Sequence, residues 1–185
     1  MARAGLSAEA VVDAAAGLAD REGLEAVTLA RLAADAGVRP PSLYAHVDGL
    51  DDLRGRLAMR GRRELAAAMR NAATGRAGSD ALRAVADALR DYARRHPGTY
   101  LAAQRAPAGD DAEARAAAGE AVDVVVAVLA GYGLEGDAAI HATRAVRAAL
   151  HGFTMLEANK GFAIDLDLDE SFARMVEVLD RGLRQ

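Results

Sequence analysis

Apolar residues recur every three to four positions along most of the chain, in runs separated by glycine, proline and aspartate. This spacing is typical of amphipathic helices, whereas strands alternate with a period of two. Ser7 and Thr28 stand where a side chain can cap a helix, and Gly23 and Gly37 stand where the first two helices end. The pattern predicts an all-α chain of about nine helices. They span residues 7–23, 28–36, 40–47, 50–73, 80–96, 99–105, 112–130, 137–158 and 169–183.

The stretch 28–47 has the spacing of a helix-turn-helix motif. One short helix ends at Gly37, and a second begins at Pro40 after a turn of a few residues. Apolar side chains facing inward would fix the crossing of the two helices: Leu32, Ala33, Val38, Leu43 and Val47. The outer face of the second helix would then be free to enter the major groove of DNA. An ordinary helical hairpin with Tyr44 half-buried is the alternative interpretation.

The residues of this stretch also resemble a known family. The segments GLEAVT (23–28), LA (32–33), GV (37–38) and PSLYAHV (41–47) resemble the N-terminal domain of TetR-family transcriptional regulators, and the likeness covers about residues 7–57. The resemblance implies an all-α homodimer with a three-helix DNA-binding head, a linking fourth helix and a larger ligand-binding and dimerisation body. We therefore expect a head at 1–49, a linking helix and loop at 50–78, and a body at 79–185, with the best boundary in the glycine-rich segment 74–79.

The resemblance also assigns DNA contacts by position. Thr28 and Tyr44 are expected to contact phosphate, and His46 is expected to contact the DNA backbone. The residues expected to face the groove are Arg39, Pro40, Pro41 and Ser42. Double-stranded DNA is thus the expected partner.

One departure from the family pattern concerns the start of the fourth helix. Many members have a phosphate-gripping lysine there, but this chain reads DGLDD at 48–52. Acidic side chains would repel DNA unless they lie sideways or cap the helix, and Asp48 is the expected cap. The cations that could compensate are Arg31, Arg54 and Arg56.

The second half of the chain resembles the C-terminal domain of one TetR subgroup, through His151-Gly152 and Gly161-Phe162. In that subgroup the last two helices form a four-helix bundle with a second subunit. Small residues spaced by three and four along 137–158 independently permit close helix packing, although burial within one subunit is the alternative. The expected dimer contacts are Ala142, Ala145, Ala149, Gly152, Phe172, Val176 and Leu179.

A pocket for an unidentified small-molecule effector is expected inside the body, between the helices at 80–96, 112–130 and 137–158. Such pockets are mostly apolar and hold a few oriented polar groups. The bulky or polar-tipped candidates are Tyr92, His96, Tyr100, Gln104 and Phe153. The alternative is that these side chains belong to the core or the surface.

Two motifs compete with this interpretation. The segment GYGLEG (131–136) matches the glycine pattern of dinucleotide-binding enzymes and follows a valine-rich run at 122–128. That run fits a helical period better than a strand, and no second βαβ unit follows, so we expect the glycines to end a helix. Asp165, Asp167 and Asp169 alternate like a calcium loop, but Glu170 stands where glycine is required. We expect an acidic loop there, with Asp169 capping the last helix.

Composition limits the remaining classes of function. A hydrophobic content of 52% excludes general disorder, and the absence of cysteine excludes disulfides and thiolate metal sites. The net charge of −4 does not indicate a basic nucleic-acid-binding surface, so DNA binding is inferred from the motif alone. No apolar run reaches the ~18 residues needed to span a bilayer, and no secretory signal is recognisable. We expect a cytoplasmic, homodimeric repressor with no catalytic residues, metal or cofactor.

Overall fold

The computed structural model describes residues 6–106 and 112–184, and within them it contains helices and no strand, which confirms the all-α prediction. Eight α-helices match eight of the predicted ones. They are α1 (Ala8–Glu22), α2 (Leu29–Ala36), α3 (Leu50–Ala73), α4 (Gly78–Arg95), α5 (Pro97–Ala103), α6 (Ala112–Ala130), α7 (Gly136–Ala158) and α8 (Leu168–Leu183). Two 3₁₀ helices, Leu24–Ala26 and Pro40–Ala45, complete the described elements.

The chain forms two compact units that interleave along the sequence. Unit 1 consists of Met1–Arg62 and Arg95–Ala117, and unit 2 consists of Arg63–Arg94 and Ala118–Gln185. The chain therefore passes from one unit to the other within α3, within α4 and within α6. The glycine-rich segment 74–79, expected as a domain boundary, joins α3 to α4 inside unit 2.

Unit 1 is built on a continuous apolar core contributed by α1, α2, α3 and α5. Leu18, Leu43, Leu53 and Leu57 are almost fully buried in it, and Ala102 of α5 belongs to the same cluster. Burial of a leucine side chain stabilises a fold by about 1.5–3 kcal/mol, so these contacts hold the helix-turn-helix region together.

Gly98 sets how closely α5 packs on α1. A β-carbon at Gly98 would lie 2.7 Å from the Ala19 β-carbon and closer still to the Ala19 carbonyl group. Only glycine therefore fits at this contact. This contact could not be predicted from the sequence, because Ala19 and Gly98 lie far apart along the chain.

Polar contacts fix α5 at both ends. The Asp20 carboxylate accepts a hydrogen bond from the Thr99 N–H at 2.7 Å, and its other oxygen lies 3.0 Å from His96 Nδ1. At the opposite end, the buried Arg62 guanidinium donates to the carbonyl oxygens of Ala103, at 3.1 Å, and Arg105. Arg62 thus satisfies carbonyl groups that the end of a helix leaves without intrahelical partners.

Two predicted caps are wrong in detail. At the start of α3 it is Asp52, rather than Asp48, whose carboxylate accepts a hydrogen bond, and the Asp48 N–H donates it at 2.9 Å. At the start of α8, Asp167 accepts from the N–H groups of Asp169 and Glu170. Asp169 instead forms ion pairs with Arg90 and Arg94 of α4. These partners are distant in sequence, so local sequence does not reveal them.

Candidate nucleic-acid interface

The turn of the motif is fixed by caps at both ends of α2. The Thr28 hydroxyl accepts a hydrogen bond from the Arg31 N–H at 3.1 Å, as an N-cap does. Gly37 has a left-handed backbone, with φ of +67°, and the Val38 N–H reaches back to the Ala33 carbonyl at 2.9 Å. This geometry ends a helix and redirects the chain sharply. The following segment therefore leaves α2 in a fixed direction.

That segment, Pro40–Ala45, is a 3₁₀ helix rather than the predicted α-helix. Pro40 and Pro41 have no N–H group, so the Ser42 N–H is the first donor, and it bonds to the Arg39 carbonyl three residues back at 2.9 Å. The His46 N–H likewise reaches the Leu43 carbonyl. Bonds over three residues define the tighter helix.

The 3₁₀ helix buries one face and exposes the other. Leu43 and Val47 are 1% and 2% exposed and anchor the segment in the core of unit 1. Tyr44 is 58% exposed, as the outward-facing prediction requires, and His46 lies at the margin with intermediate burial. The other predicted groove-facing residues are all exposed: Arg39, Pro40, Pro41 and Ser42. We call this exposed set, residues 39–42 with Tyr44, the outer face.

Arg31, a predicted phosphate contact, is occupied by two carboxylates. Its guanidinium donates to both oxygens of Glu22, at 3.0 and 2.8 Å, and its Nε donates to Asp35 at 3.0 Å. Hydrogen bonds to Glu22 and then Asp35 raise the pKa of Arg31 above its usual value. The arginine is thus neutralised locally by acids of α1 and α2.

The other two candidate compensating cations are also paired. Arg56 donates to Asp52 at 2.9 Å, and Arg54 lies 3.9 Å from Glu25. Burial opposes ionisation of Asp52, but the hydrogen bonds from Arg56 and the Asp48 N–H outweigh it and lower its pKa. Arg39 forms no ion pair within the described part of the chain. Unlike Arg31, Arg54 and Arg56, Arg39 therefore has a charge that no carboxylate in the described residues neutralises, so it is available to contact DNA.

The five predicted ligand-pocket residues fall in different units. His96, Tyr100 and Gln104 belong to unit 1, where His96 pairs with Asp20 and Tyr100 is buried. Tyr92 and Phe153 belong to unit 2. The Tyr92 hydroxyl donates to Glu64 at 2.9 Å. Tyr92 and His96 thus each contact a carboxylate of their own unit.

Phe153 packs in an aromatic and ionic cluster of unit 2. Its ring centroid lies 4.9 Å from that of Phe162 and 5.2 Å from that of Phe172. The Arg90 guanidinium lies over Phe153 and Phe172, and it donates to both oxygens of Glu157 at 2.9 and 2.6 Å. Sequence reasoning missed this cluster because its members come from α4, α7, α8 and the segment between the last two helices.

The predicted dimer residues divide into two groups. Phe172 and Val176 are 2% and 3% exposed within the single chain, so they offer almost no surface to a partner. The other five keep exposed or intermediate surface on α7 and α8: Ala142, Ala145, Ala149, Gly152 and Leu179.

The glycine motif at 131–136 follows a helix. The valine-rich run 122–128 lies inside α6, and no strand precedes the glycines in the described residues. Gly133 and Gly136 have positive φ and form the turn into α7, as the helical interpretation predicts. The dinucleotide-binding alternative is therefore wrong.

The described residues contain no group of three or more histidine or acidic side chains arranged to hold a metal ion. Nor does any helix among them have the length and apolar character needed to cross a bilayer.

Two family models match the chain. The model described as "Bacterial regulatory proteins, tetR family" matches residues 11–53, and "Tetracyclin repressor-like, C-terminal domain" matches residues 82–179. The HTH-type transcriptional regulator Rv0681 of Mycobacterium tuberculosis is 42% identical, over 97% of this chain and 83% of the relative. The regulator YobS of Bacillus subtilis is 40% identical, over 98% of this chain and 94% of the relative.

Solved structures agree on the fold. A protein from Rhodococcus sp. RHA1 has a TM-score of 0.81 at 23% identity, over 98% of this chain and 97% of that one. ActR of Streptomyces coelicolor, in complex with (S)-DNPA, has a TM-score of 0.71 at 20% identity, over 99% of this chain and 98% of that one. With the two family models and the regulators of similar length, the chain belongs to the TetR family of helix-turn-helix transcriptional regulators.

Proposed function

We propose that this protein is a ligand-responsive repressor that binds a palindromic operator as a homodimer in the cytoplasm, and that it acts by binding rather than by catalysis. The observation that carries the proposal is the outer face of the motif. Leu43 and Val47 anchor it rigidly in the core, while Arg39, Ser42 and Tyr44 point outward. Arginine can bind guanine edges bidentately, and tyrosine hydroxyls bind phosphate oxygens.

The dimer surface that we propose lies on α7 and α8. Ala142, Ala145, Ala149, Gly152 and Leu179 remain accessible there, beside exposed apolar side chains that water disfavours. Those side chains are Ile140, Leu156 and Val178. A two-fold axis through this surface would present two outer faces to one duplex, and half-sites read in this way lie about 34–36 Å apart.

Ligand response is proposed from the family and from the path of α3. ActR, a structural relative, was solved with the small molecule (S)-DNPA. In this chain α3 is one continuous helix of 24 residues, and it contributes to both compact units. A ligand bound in unit 2 that favours another position of α3 would therefore alter the head. Coupling of this kind is typically about 1–3 kcal/mol, or 5- to 150-fold in affinity.

A gel-shift titration against the DNA upstream of the chain's own gene, with light scattering for mass, tests the proposal. We expect a shifted band whose protein component has twice the mass of the chain. Affinity should fall steeply with salt, because phosphate contacts release counterions. A monomer in solution, or binding that does not respond to salt, would contradict the proposal.

Arg39→Ala and Tyr44→Ala are expected to weaken binding in different ways. Loss of a base contact by Arg39 should cost about 1–3 kcal/mol on the operator and little on random DNA. Loss of a phosphate contact by Tyr44 should weaken binding to both DNAs by similar factors. Fluorescence anisotropy with operator and random duplexes measures the difference.

The matched control is Arg83→Ala, which removes an exposed arginine of α4 that pairs with Asp80. It should leave both affinities unchanged. If Arg39→Ala weakened operator and random DNA equally, the base-reading role of Arg39 would be wrong.

Releasing Arg31 is expected to strengthen DNA binding. In the double variant Glu22→Gln and Asp35→Asn, the guanidinium loses both charged partners beside the Thr28 cap. A freed phosphate contact should make the slope of log affinity against log salt concentration steeper by about one. It should also raise the affinity several-fold at low salt.

The removal of two negative charges also strengthens binding in a general way, so a triple variant that adds Arg31→Ala is needed. Most of the gain should vanish in the triple variant. A gain that persists without Arg31 would show that the effect is one of net charge only.

A further inference from the structure

A groove of about 430 Å³ lies in unit 2, between the end of α3, the start of α4 and the second half of α6. Its floor is apolar and includes Val124, Ala127 and Val128 of α6. The volume falls in the range of small-molecule sites. None of the residues expected to bind a ligand from the sequence lines this groove.

One end wall of the groove is held by a hydrogen-bond network. Gly78 and Gly131 form the wall, and the residues that follow them, Ser79 and Tyr132, both donate to Asp180 Oδ1, at 2.7 and 2.6 Å. Arg184 donates to the other Asp180 oxygen at 3.1 Å. These bonds tie the start of α4 and the turn before α7 to α8. The wall is therefore preorganised, which lowers the entropy cost of binding a ligand.

The wall also depends on close backbone approach. A β-carbon at Gly131 would lie 3.3 Å from the Gly78 nitrogen and 3.1 Å from the Val128 carbonyl oxygen. A side chain there would push into the groove wall. Gly131 thus allows the two backbone segments to approach closely at this end of the groove.

Charged side chains also line the groove, at its rim. Arg70 and Glu120 lie 3.6 Å apart across the rim and neutralise one another. Arg76 is exposed and forms no ion pair or side-chain hydrogen bond within the described residues. Its guanidinium is weakly hydrated and suited to pairing with an anion at an apolar site. The exposed carboxylate of Asp123 on the α6 side disfavours an anion of higher charge.

We propose that this groove binds a small apolar molecule that carries a single negative charge, with the charge on Arg76 and the apolar body over Val124 and Ala127. The role of that molecule as the effector rests on the proposed function, because α3, whose last turn lines the groove, also contributes to the unit that carries the outer face.

A matched pair of fluorescent probes tests the proposal. 8-Anilinonaphthalene-1-sulfonate has an apolar ring system with one negative charge, and N-phenyl-1-naphthylamine has the same rings without the charge. We expect the anionic probe to bind the wild-type chain at one site per subunit. Arg76→Ala should weaken the anionic probe about tenfold and leave the neutral probe within twofold. Arg83→Ala, which removes an exposed arginine of α4 outside the groove, should change neither.

A groove-filling variant tests the location. Ala127 and Ala130 are both exposed on α6, but only Ala127 lines the groove. Ala127→Phe should reduce binding of both probes at least about tenfold, and Ala130→Phe should not, because only the first ring occupies ligand space. Unchanged binding to Ala127→Phe, or equal loss of both probes in Arg76→Ala, would overturn the proposal.

A last measurement distinguishes ligand binding in the groove from DNA binding by the outer face. The saturating anionic probe should lower operator affinity of the wild-type chain at least about fivefold and have no effect on Ala127→Phe. Failure of the chain to bind DNA at all would defeat the proposed function and leave the probe results standing. Normal DNA binding with no probe site would defeat the groove alone.

Discussion

Gly98→Ala is expected to destabilise the chain by about 3 kcal/mol or more, near the upper end of what overpacking costs. The added methyl group would overlap the Ala19 carbonyl group, which is backbone and cannot rotate away. Relief requires α5 to move off α1. That movement would also strain the bonds from Asp20 to Thr99 and His96, which hold the same two helices together. Urea unfolding followed by circular dichroism measures the loss.

Gly55→Ala is the matched control, because Gly55 is an exposed helical glycine of α3 and a β-carbon added there would meet open space. There the same substitution should stabilise by roughly 0.5–1 kcal/mol, through helix propensity and reduced freedom of the unfolded chain. We therefore expect the free energy of unfolding to fall in Gly98→Ala and to rise in Gly55→Ala. A Gly98→Ala variant as stable as the wild type would mean that α5 does not pack closely on α1.

Arg90→Ala is expected to destabilise the chain by about 3–5 kcal/mol, the usual effect of removing one partner of a buried ion pair. The Arg90 side chain is 6% exposed, and the side chain of Glu157 is 13% exposed. Without Arg90, the Glu157 carboxylate would keep only the half-exposed Arg94 as a partner, and the rings of Phe153 and Phe172 would lose the guanidinium packed on them.

A double-mutant cycle isolates the pair. Arg90→Ala and Glu157→Ala together should cost clearly less than the sum of the two single changes, with a coupling of at least about 1 kcal/mol. Arg174→Ala, which breaks an exposed pair with Glu170, should cost no more than about 0.5 kcal/mol. Additive single effects would show that Arg90 acts by packing alone.

The same cluster predicts a response to acid. Hydrogen bonds from Arg90, opposed by burial and supported by Arg94, lower the pKa of Glu157 to about 2 from its ordinary 4.5. Because the folded value lies below the unfolded one, the contribution is full above pH 4.5 and is lost as the pH falls toward 2. Because solvent screens part of this interaction, the shift is worth less than the roughly 3 kcal/mol of an unscreened pair. Between pH 6 and pH 3, the free energy of unfolding should therefore fall less in Glu157→Gln than in the wild type.

Local patterns were sufficient to predict the helices. Ser7 and Thr28 cap where expected, and Gly37 adopts the left-handed conformation that the end of α2 requires. Spacing also predicted that Leu43 faces inward, as the structure shows, but it left a half-buried Tyr44 as an alternative. These features depend on bonds and contacts between neighbours in sequence, so the sequence contains the information that determines them.

What could not be predicted depends on residues that are distant in sequence. Arg31 was predicted to contact phosphate. Its pair with Asp35, four residues on in α2, follows from helical spacing, but its bonds to Glu22 of α1 depend on how the two helices pack. Tyr92 and His96 are one helical turn apart in sequence but belong to different units. The 3₁₀ form of Pro40–Ala45 has a local cause, the two adjacent prolines, but the sequence analysis predicted an ordinary helix there.

The interleaving of the two units has a practical consequence for protein engineering. A fragment that stops after the helix-turn-helix region would lack α5, and with it the helix that covers Ala19 and binds Asp20. Apolar surface that the intact chain shields would then meet water, and such a fragment would aggregate or remain poorly ordered. A chimera that transfers this head onto another regulator must therefore carry residues 95–105 as a second, separate insertion.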